Sequence, residues 1–519
     1  MKRILVCLIA FSLVFALFGC KDTKTPDEIS GEVIEDNQGK GITIYSLKDD
    51  TLCPILTDNE ANRQMLGIVY EPLVSLENTM EPKSVLAEEW SVDSDGLTWK
   101  FKLRENVLWH SGEKLSAKDV VYTIEQIKLN EGSSYFYNVR NIDEVSGSGR
   151  TVEITLTEPN SAFPNLMTFP IIKSQDEDID RSAFYPCGTG PYVFSDKKEG
   201  NMYYLTKNDA WWGENIKIEE INVKILPDAD SVMYSFSVGD ISIASTKHGS
   251  AMKFANVSDM RASSHESAVY NFLGLNHSNT SLSSKEVREA INLAVNRDKI
   301  VDDIFAGNAE TATAPMRKDW FINTASKKKI EADLGSAERL LLKNEWKKRN
   351  GIYSKTIENT FQNLEFNLLV NKDNSTRANM AKSIKFDLES IGFKINVIPV
   401  AYEDYINRIQ NGQYEMFIGS IKLSDDLDYS YLLGEGNLFN YSDNRMSEML
   451  DEIKIATTKD ETVKKYRKLR ERFDSRLPFI GVCFENFMMH YSDNIKGELS
   501  STSNDIYDGI FNLSLKDKE

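Results

Sequence analysis

Leu97, Trp99, Phe101 and Leu103 alternate with Thr98, Lys100 and Lys102, and patterning of period two predicts a strand with one buried face. The Asp95-Gly96 pair just before it is a turn dipeptide, because glycine accepts positive φ, so a hairpin is expected. Beyond it, Ser116 and Asp119 form an N-cap pair ahead of Val120, Ile124 and Ile127, which recur at helical spacing. Further strands are predicted at 151–156, 202–206, 221–225, 364–370, 393–397 and 414–418, with a short one at Ile42, Ile44 and Tyr45. Amphipathic helices are predicted at 283–297, capped by Ser283 with Glu286 and stopped by Gly307, and at 378–391, 402–410, 447–455 and 462–473.

From 364 to 418 the order is strand, helix, strand, helix, strand. That order predicts a mainly parallel, doubly wound sheet with right-handed crossovers. Ligands of such sheets bind beyond the carboxyl ends of the strands, which selects 419–431, GSIKLSDDLDYSY, as the ligand loop.

The chain has 519 residues, too many for one ordinary core, so two or more lobes are expected. It carries 61 Lys and Arg against 79 Asp and Glu, a net charge of -18. Such a surface favours solubility and argues against nucleic acid or direct binding to anionic lipid. At the start, Lys2 and Arg3 precede an apolar run over 4–18, shorter than the roughly 20 residues of a membrane span. It ends at Leu17-Phe18-Gly19-Cys20, which resembles a bacterial lipobox, with Phe18 where a small residue is usual. That resemblance implies a cleaved export signal over 1–19, lipidation of Cys20, and anchoring to the outer face of the cell membrane. Residues 20–40 are polar and read as a flexible tether.

Cys7 would leave with the signal; Cys53, Cys187 and Cys483 are too widely spaced for a disulfide framework and read as buried free thiols. There is no His-Glu-x-x-His, no Gly-x-Ser-x-Gly and no Cys/His cluster, so neither an enzyme nor a cofactor is expected. The five histidines, His110, His248, His265, His277 and His490, are scattered, and His490 beside Met488 and Met489 reads as packing before it reads as a soft-metal site.

Ala87, Glu88, Trp90, Asp95, Gly96, Leu103, Arg104, Trp109, His110 and Gly112 together resemble the signature of the family 5 extracellular solute-binding proteins of ABC importers. So do Leu52-Cys53-Pro54, the segment Val69-Tyr70-Glu71-Pro72-Leu73, Gly188-Thr189-Gly190-Pro191-Tyr192, Asn208 with Trp211 and Trp212, and Leu273-Gly274-Leu275-Asn276. The resemblance covers 41 to the end and implies an α/β, two-lobed periplasmic-binding-protein-like fold that closes about a hinge on its ligand. It implies a discontinuous first lobe (41–57, 183–267 and 489–519), an insertion subdomain within it (58–182) and a second lobe (268–488). It also implies short-peptide capture for the permease subunits of an importer by a monomer, with a nickel chelate, an oligosaccharide or peptide sensing without transport as alternatives.

Peptide-binding members often carry Gly-Trp-x-x-Asp in the ligand loop, the Asp meeting the peptide ammonium, whereas this chain has Ser420-Ile421 followed by Asp425, Asp426 and Asp428. A carboxylate facing an ammonium is worth about 1.5 to 3 kcal/mol as a charged hydrogen bond. Asp425 is the first choice for that anchor. Tyr429, Tyr431, Phe439 and Tyr441 are candidate pocket walls, and Asp50 and Asn276 are further candidates bordering the cleft.

Overall fold

The computed structural model describes residues 41–47, 50–175, 179–247, 260–324 and 331–516. The expected signal, tether and lipidation site Cys20 lie outside the described residues, as do Asp49 and His248.

The Asp95-Gly96 turn forms as the alternation predicts. Gly96 has φ 74°, Asp95 Oδ1 accepts the Leu97 N–H at 2.8 Å, and strand Ala87–Val92 pairs antiparallel with Thr98–Leu103. Strands Thr151–Leu156 and Ile142–Ser148 extend this to four strands. Helix Ala117–Lys128 begins where Asp119 Oδ2 accepts both the N–H and the hydroxyl of Ser116, at 2.9 and 3.0 Å.

A second sheet joins Gly41–Leu47, Glu220–Leu226, Met202–Lys207 and Tyr192–Glu199 in that order, with only the first pair parallel. One apolar core runs through both sheets: Ile42, Ile44 and Val223 share it with Phe101, Ile124 and Ile154, and Leu499, Tyr507 and Leu513 join it near the C-terminus.

The third sheet departs from the expected topology. Strands Glu365–Asn371, Lys394–Val400 and Met416–Lys422 are parallel. Met260–Leu275, Ile480–Ser492 and Ile243–Lys247 then add on antiparallel, so the sheet is mixed, not mainly parallel. The reason is that strand direction depends on how the chain returns from the first lobe, about which alternation is silent. Both faces of this sheet are covered: Leu273, Leu368 and Met416 face one apolar cluster, and their neighbours Phe272, Leu369 and Phe417 face another.

Two other boundaries shift. The helix predicted to run through 297 stops at Ala294, and a second helix, Arg297–Phe305, starts where Asn296 Oδ1 accepts the Lys299 N–H at 3.0 Å. Ser284, not Ser283, sits at the N-cap, and Gly307 follows the second helix at φ 79°. The first four residues of the expected ligand loop, 419–422, belong to strand Met416–Lys422.

Met260–Leu275 and Ile480–Ser492 link the lobes. Their far ends place Met489 and Tyr491 in the first-lobe core and Leu273, Ile480 and Val482 in the second, and their register breaks between Glu266 and Tyr270. A break in the ladder at that point is where two long paired strands bend most readily. The hairpin Val74–Leu76/Pro82–Ser84 adds another link, since Leu76 and Met80 pack into the second lobe's aromatic core although the hairpin follows the first lobe in sequence.

Candidate functional site

Several of the family-like sequence words, from Glu71, Arg104, His110, Gly188, Gly190, Trp211 and Trp212, meet one another. A Cβ on Gly188 would lie 1.8 Å from the Val69 carbonyl oxygen and one on Gly190 2.7 Å from that of Ile68, so only glycine permits this approach. His110 Nδ1 accepts the Gly188 N–H at 3.2 Å and its Nε2 meets the Gly190 carbonyl at 3.0 Å, the pattern of a neutral imidazole. Burial holds its pKa below the ordinary histidine range. Glu71 receives the indole N–H groups of Trp211 and Trp212 at 3.1 and 3.0 Å, and the Arg104 guanidinium lies 4.4 Å from the Trp212 ring centre. Every group here is spent on another part of the scaffold.

The segment after strand Met416–Lys422 is different, because its contacts reach outward. Asp425 Oδ2 accepts from Asn504 Nδ2 at 2.7 Å, and Lys422 Nζ donates to Asn504 Oδ1 at 3.1 Å. Asn165 Nδ2 donates to the Asp425 carbonyl and to the Met80 carbonyl, both at 3.0 Å. Asp426, only 7% exposed, accepts from Asn160 Nδ2 at 3.2 Å and, at the long distance of 3.4 Å, from the Tyr137 hydroxyl. Three stretches distant in sequence therefore meet on two adjacent carboxylates: residues 137–165, the C-terminal segment with Asn504, and the loop after strand Met416–Lys422.

A cavity of about 30 Å³, room for one or two waters, opens beside them and is lined by Tyr137, Asn160, Asp426, Asp428, Tyr429 and Tyr466 among others. Burial raises the pKa of both Asp425 and Asp426 above the ordinary aspartate range, opposed at Asp425 by Lys422 and at Asp426 by a Ser424 hydrogen bond. Neither carboxylate makes an ion pair among the described residues. A cationic group brought here would relieve that burden.

Of the residues expected from sequence, Asp425, Asp426, Asp428 and Tyr429 come together. Asp428 Oδ1 caps the Ser430 N–H at 2.8 Å, and Tyr429 is buried with its ring edge-on to Tyr466 at 6.0 Å. The other five stand elsewhere. Phe439 is fully buried between Phe417 and Phe479, a core position, not a pocket wall. The Tyr441 hydroxyl donates to Asp443 Oδ2 at 2.8 Å. Asn276 Nδ2 donates to the Gly412 and Tyr414 carbonyls at 3.1 and 2.8 Å, which pins a loop. Asp50 is partly desolvated, but bonds from Thr57 Oγ1 at 2.5 Å and the Asp58 N–H at 2.9 Å outweigh this and hold its carboxyl below the usual range. Tyr431 is exposed.

Sequence reasoning missed Tyr137, Asn160, Asn165 and Asn504. They lie in short helical turns and loops without periodicity, and no local signal marks them. The scattered histidines stay apart: His277 meets the Pro478 carbonyl at 2.8 Å and His490 the Thr246 hydroxyl at 2.9 Å. Among the described residues one carboxylate trio, Glu266, Glu310 and Asp319, is close enough to share a cation. Arg317, itself buried, already sits 3.2 Å from Glu266 and 3.1 Å from Glu310.

Two lobes joined by paired crossing strands, with a polar junction between them, are the architecture of a binding protein. The family model of the bacterial extracellular solute-binding proteins, family 5, middle region, matches residues 81–437. The chain belongs to that family, the solute-binding proteins of ABC importers. It is 23% identical to the oligopeptide-binding protein AppA of Bacillus subtilis over 98% of each chain. It is also 23% identical to the nickel-binding periplasmic protein of Escherichia coli, over 92% of this chain and 93% of that one. The crystal structure of a nickel ABC transporter protein from Bacillus halodurans matches it with a TM-score of 0.80 at 21% identity, covering 92% of this chain and all of that one. At such identities the structural likeness speaks to the fold alone. No described helix is long and apolar enough to cross a membrane.

Proposed function

We propose that this family 5 protein captures short peptides outside the cytoplasm and delivers them to the permease subunits of an ABC importer, working as a monomer held to the membrane by lipid on Cys20. The observation that carries the peptide reading is the pair Asp425 and Asp426, enclosed at the junction of the lobes without an ion-pairing cation among the described residues. A peptide's free amino terminus supplies a compact cation for such a place, a charged hydrogen bond worth about 1.5 to 3 kcal/mol. The rest of an extended peptide is held through its main chain while water fills the side-chain pockets, so varied sequences are accepted. Bending of the crossing strands near Glu266 and Tyr270 closes the lobes on the cargo. The protein binds without hydrolysing.

Similarity to AppA, an oligopeptide-binding protein, supports the same reading. Native mass spectrometry of the purified protein, followed by calorimetry with tri- and tetrapeptides, tests it. Peptide binding with release of intact peptide is expected; binding of nickel chelates or oligosaccharides alone overturns the assignment.

A further inference from the structure

The side chains of Asp425 and Asp426 take their longer-range hydrogen bonds from the other side of the lobe junction. Asn504 lies in the C-terminal segment of the first lobe, and Asn160 and Tyr137 lie in the insertion. Separating the lobes removes all three donors and exposes both carboxylates. Bringing the lobes together encloses two neighbouring negative charges. We propose that lobe closure draws in about one positive charge per molecule, either a proton shared by Asp425 and Asp426 or a cationic group of the cargo. The proton branch holds whatever the cargo is; the cargo branch rests on the peptide reading.

The charged surroundings bear on the sign. On the loop's own side stand Lys422, which favours the ionised form of Asp425, and Asp428, which opposes that of Asp426. From the insertion come Arg140, stacked 4.1 Å from the Tyr137 ring centre, and Glu158, which is paired with Lys454 of helix Asn444–Lys454 at 3.7 Å. Helix Lys459–Arg476 brings Tyr466, whose hydroxyl is committed to the Leu427 carbonyl at 2.9 Å. The C-terminal segment brings neutral Asn504, followed by Asp505, whose pKa burial and the nearby Asp508 raise to about 7. Asp505 packs beside Gly67 on the first-lobe side, so lobe separation leaves it in place.

The balance favours protonation on closing. Both aspartates stand above the ordinary value of 3.8 when the lobes meet and return toward it when they part. Acid therefore favours the closed arrangement, and the preference fades as pH rises through the raised range. For one proton the closed-to-open ratio falls about tenfold per pH unit within that window.

The test is small-angle scattering of the whole chain in peptide-free buffer at about pH 5 and about pH 8. The radius of gyration is expected to be smaller in acid, while the Asp425→Asn, Asp426→Asn double variant stays compact at both, since its amides need no counter-charge. An unchanged radius in the unsubstituted protein, or a double variant that retains the full shift, overturns the proposal. Calorimetry in buffers of different ionisation heat adds the cargo branch. An acetylated tripeptide is expected to bind with proton uptake and the same tripeptide with a free amino terminus with almost none; equal uptake overturns the exchange of proton for cargo charge. If neither tripeptide binds, the peptide reading fails while scattering still decides the proton branch.

Discussion

Asn504 donates its side-chain N–H to Asp425 across 2.7 Å, tying the C-terminal segment to the loop after strand Met416–Lys422. The same amide accepts from Lys422 at 3.1 Å, so one neutral side chain stands between a lysine and a carboxylate. Burial raises the pKa of Asp425, and its hydrogen bond from Asn504 and the charge of Lys422 oppose that.

Asn504→Ala removes that separator and one of the bonds that hold the lobes together. The loss of a hydrogen bond to a charged group costs about 1.5 to 3 kcal/mol, so peptide affinity is expected to fall roughly 10- to 100-fold. Calorimetry on the variant checks this; a change under about twofold would remove Asn504 from the junction's energetics.

Asp425→Asn is expected to weaken peptides with a free amino terminus by roughly 10- to 100-fold and acetylated peptides little. The contrast follows from the carboxylate's charge, because Asn preserves shape and one acceptor. Paired titrations of both peptide forms provide the measurement, and equal losses would assign Asp425 a structural role.

Glu71 stands between two indole N–H donors in the first lobe. Burial raises its pKa to about 7, against the lowering effect of those bonds and of Arg104. The folded state therefore holds this proton more tightly than the unfolded chain, whose value is near 4.5. Stability from this group is full in acid, declines as pH rises from about 4.5 to about 7 by on the order of 3 kcal/mol, and is flat above. In thermal unfolding across that window, Glu71→Gln is expected to flatten the slope in part, because other buried carboxylates with raised pKa values, Asp505, Asp508, Asp425 and Asp426 among them, contribute in the same direction. A variant with the full original slope would refute the assignment.

Met80 occupies the tip of the hairpin that crosses to the second lobe, at φ 63° and 8% exposed. Met80→Ala empties that contact, and buried Met→Ala changes cost about 2 to 5 kcal/mol. Because Met80 joins two lobes, part of that cost is expected as easier opening, seen as faster amide exchange across 423–429 with little change inside strand Thr98–Leu103. Equal acceleration in both places would mark a general loss of stability.

Cys53 and Cys483 are buried free thiols, and burial pushes the Cys53 thiol up to about 12 and Cys483 higher still. Cys187 is partly exposed. Alkylation of the native protein followed by peptide mapping is expected to label Cys187 and spare the other two.

Local chemistry alone specified much of the scaffold. The Asp95-Gly96 turn, the Ser116 and Asp119 cap, and helix Tyr402–Gln410 form where their residues predict, because turns, caps and amphipathic faces are decided among neighbours. Partner choice is another matter. Period two tells which face of 416–422 is apolar, yet not that an antiparallel crossing strand lies on one side of it and a parallel strand on the other. Phe439 and Tyr429 look alike in sequence and share one apolar cluster, but Tyr429 also borders the cavity beside Asp426. The junction itself depends on polar residues distant along the chain: Asn504 is 79 positions from Asp425, and Tyr137 is 289 from Asp426. No local pattern encodes such a meeting. It arises once the apolar cores dock, and only the packed lobes put those donors and carboxylates within reach of each other.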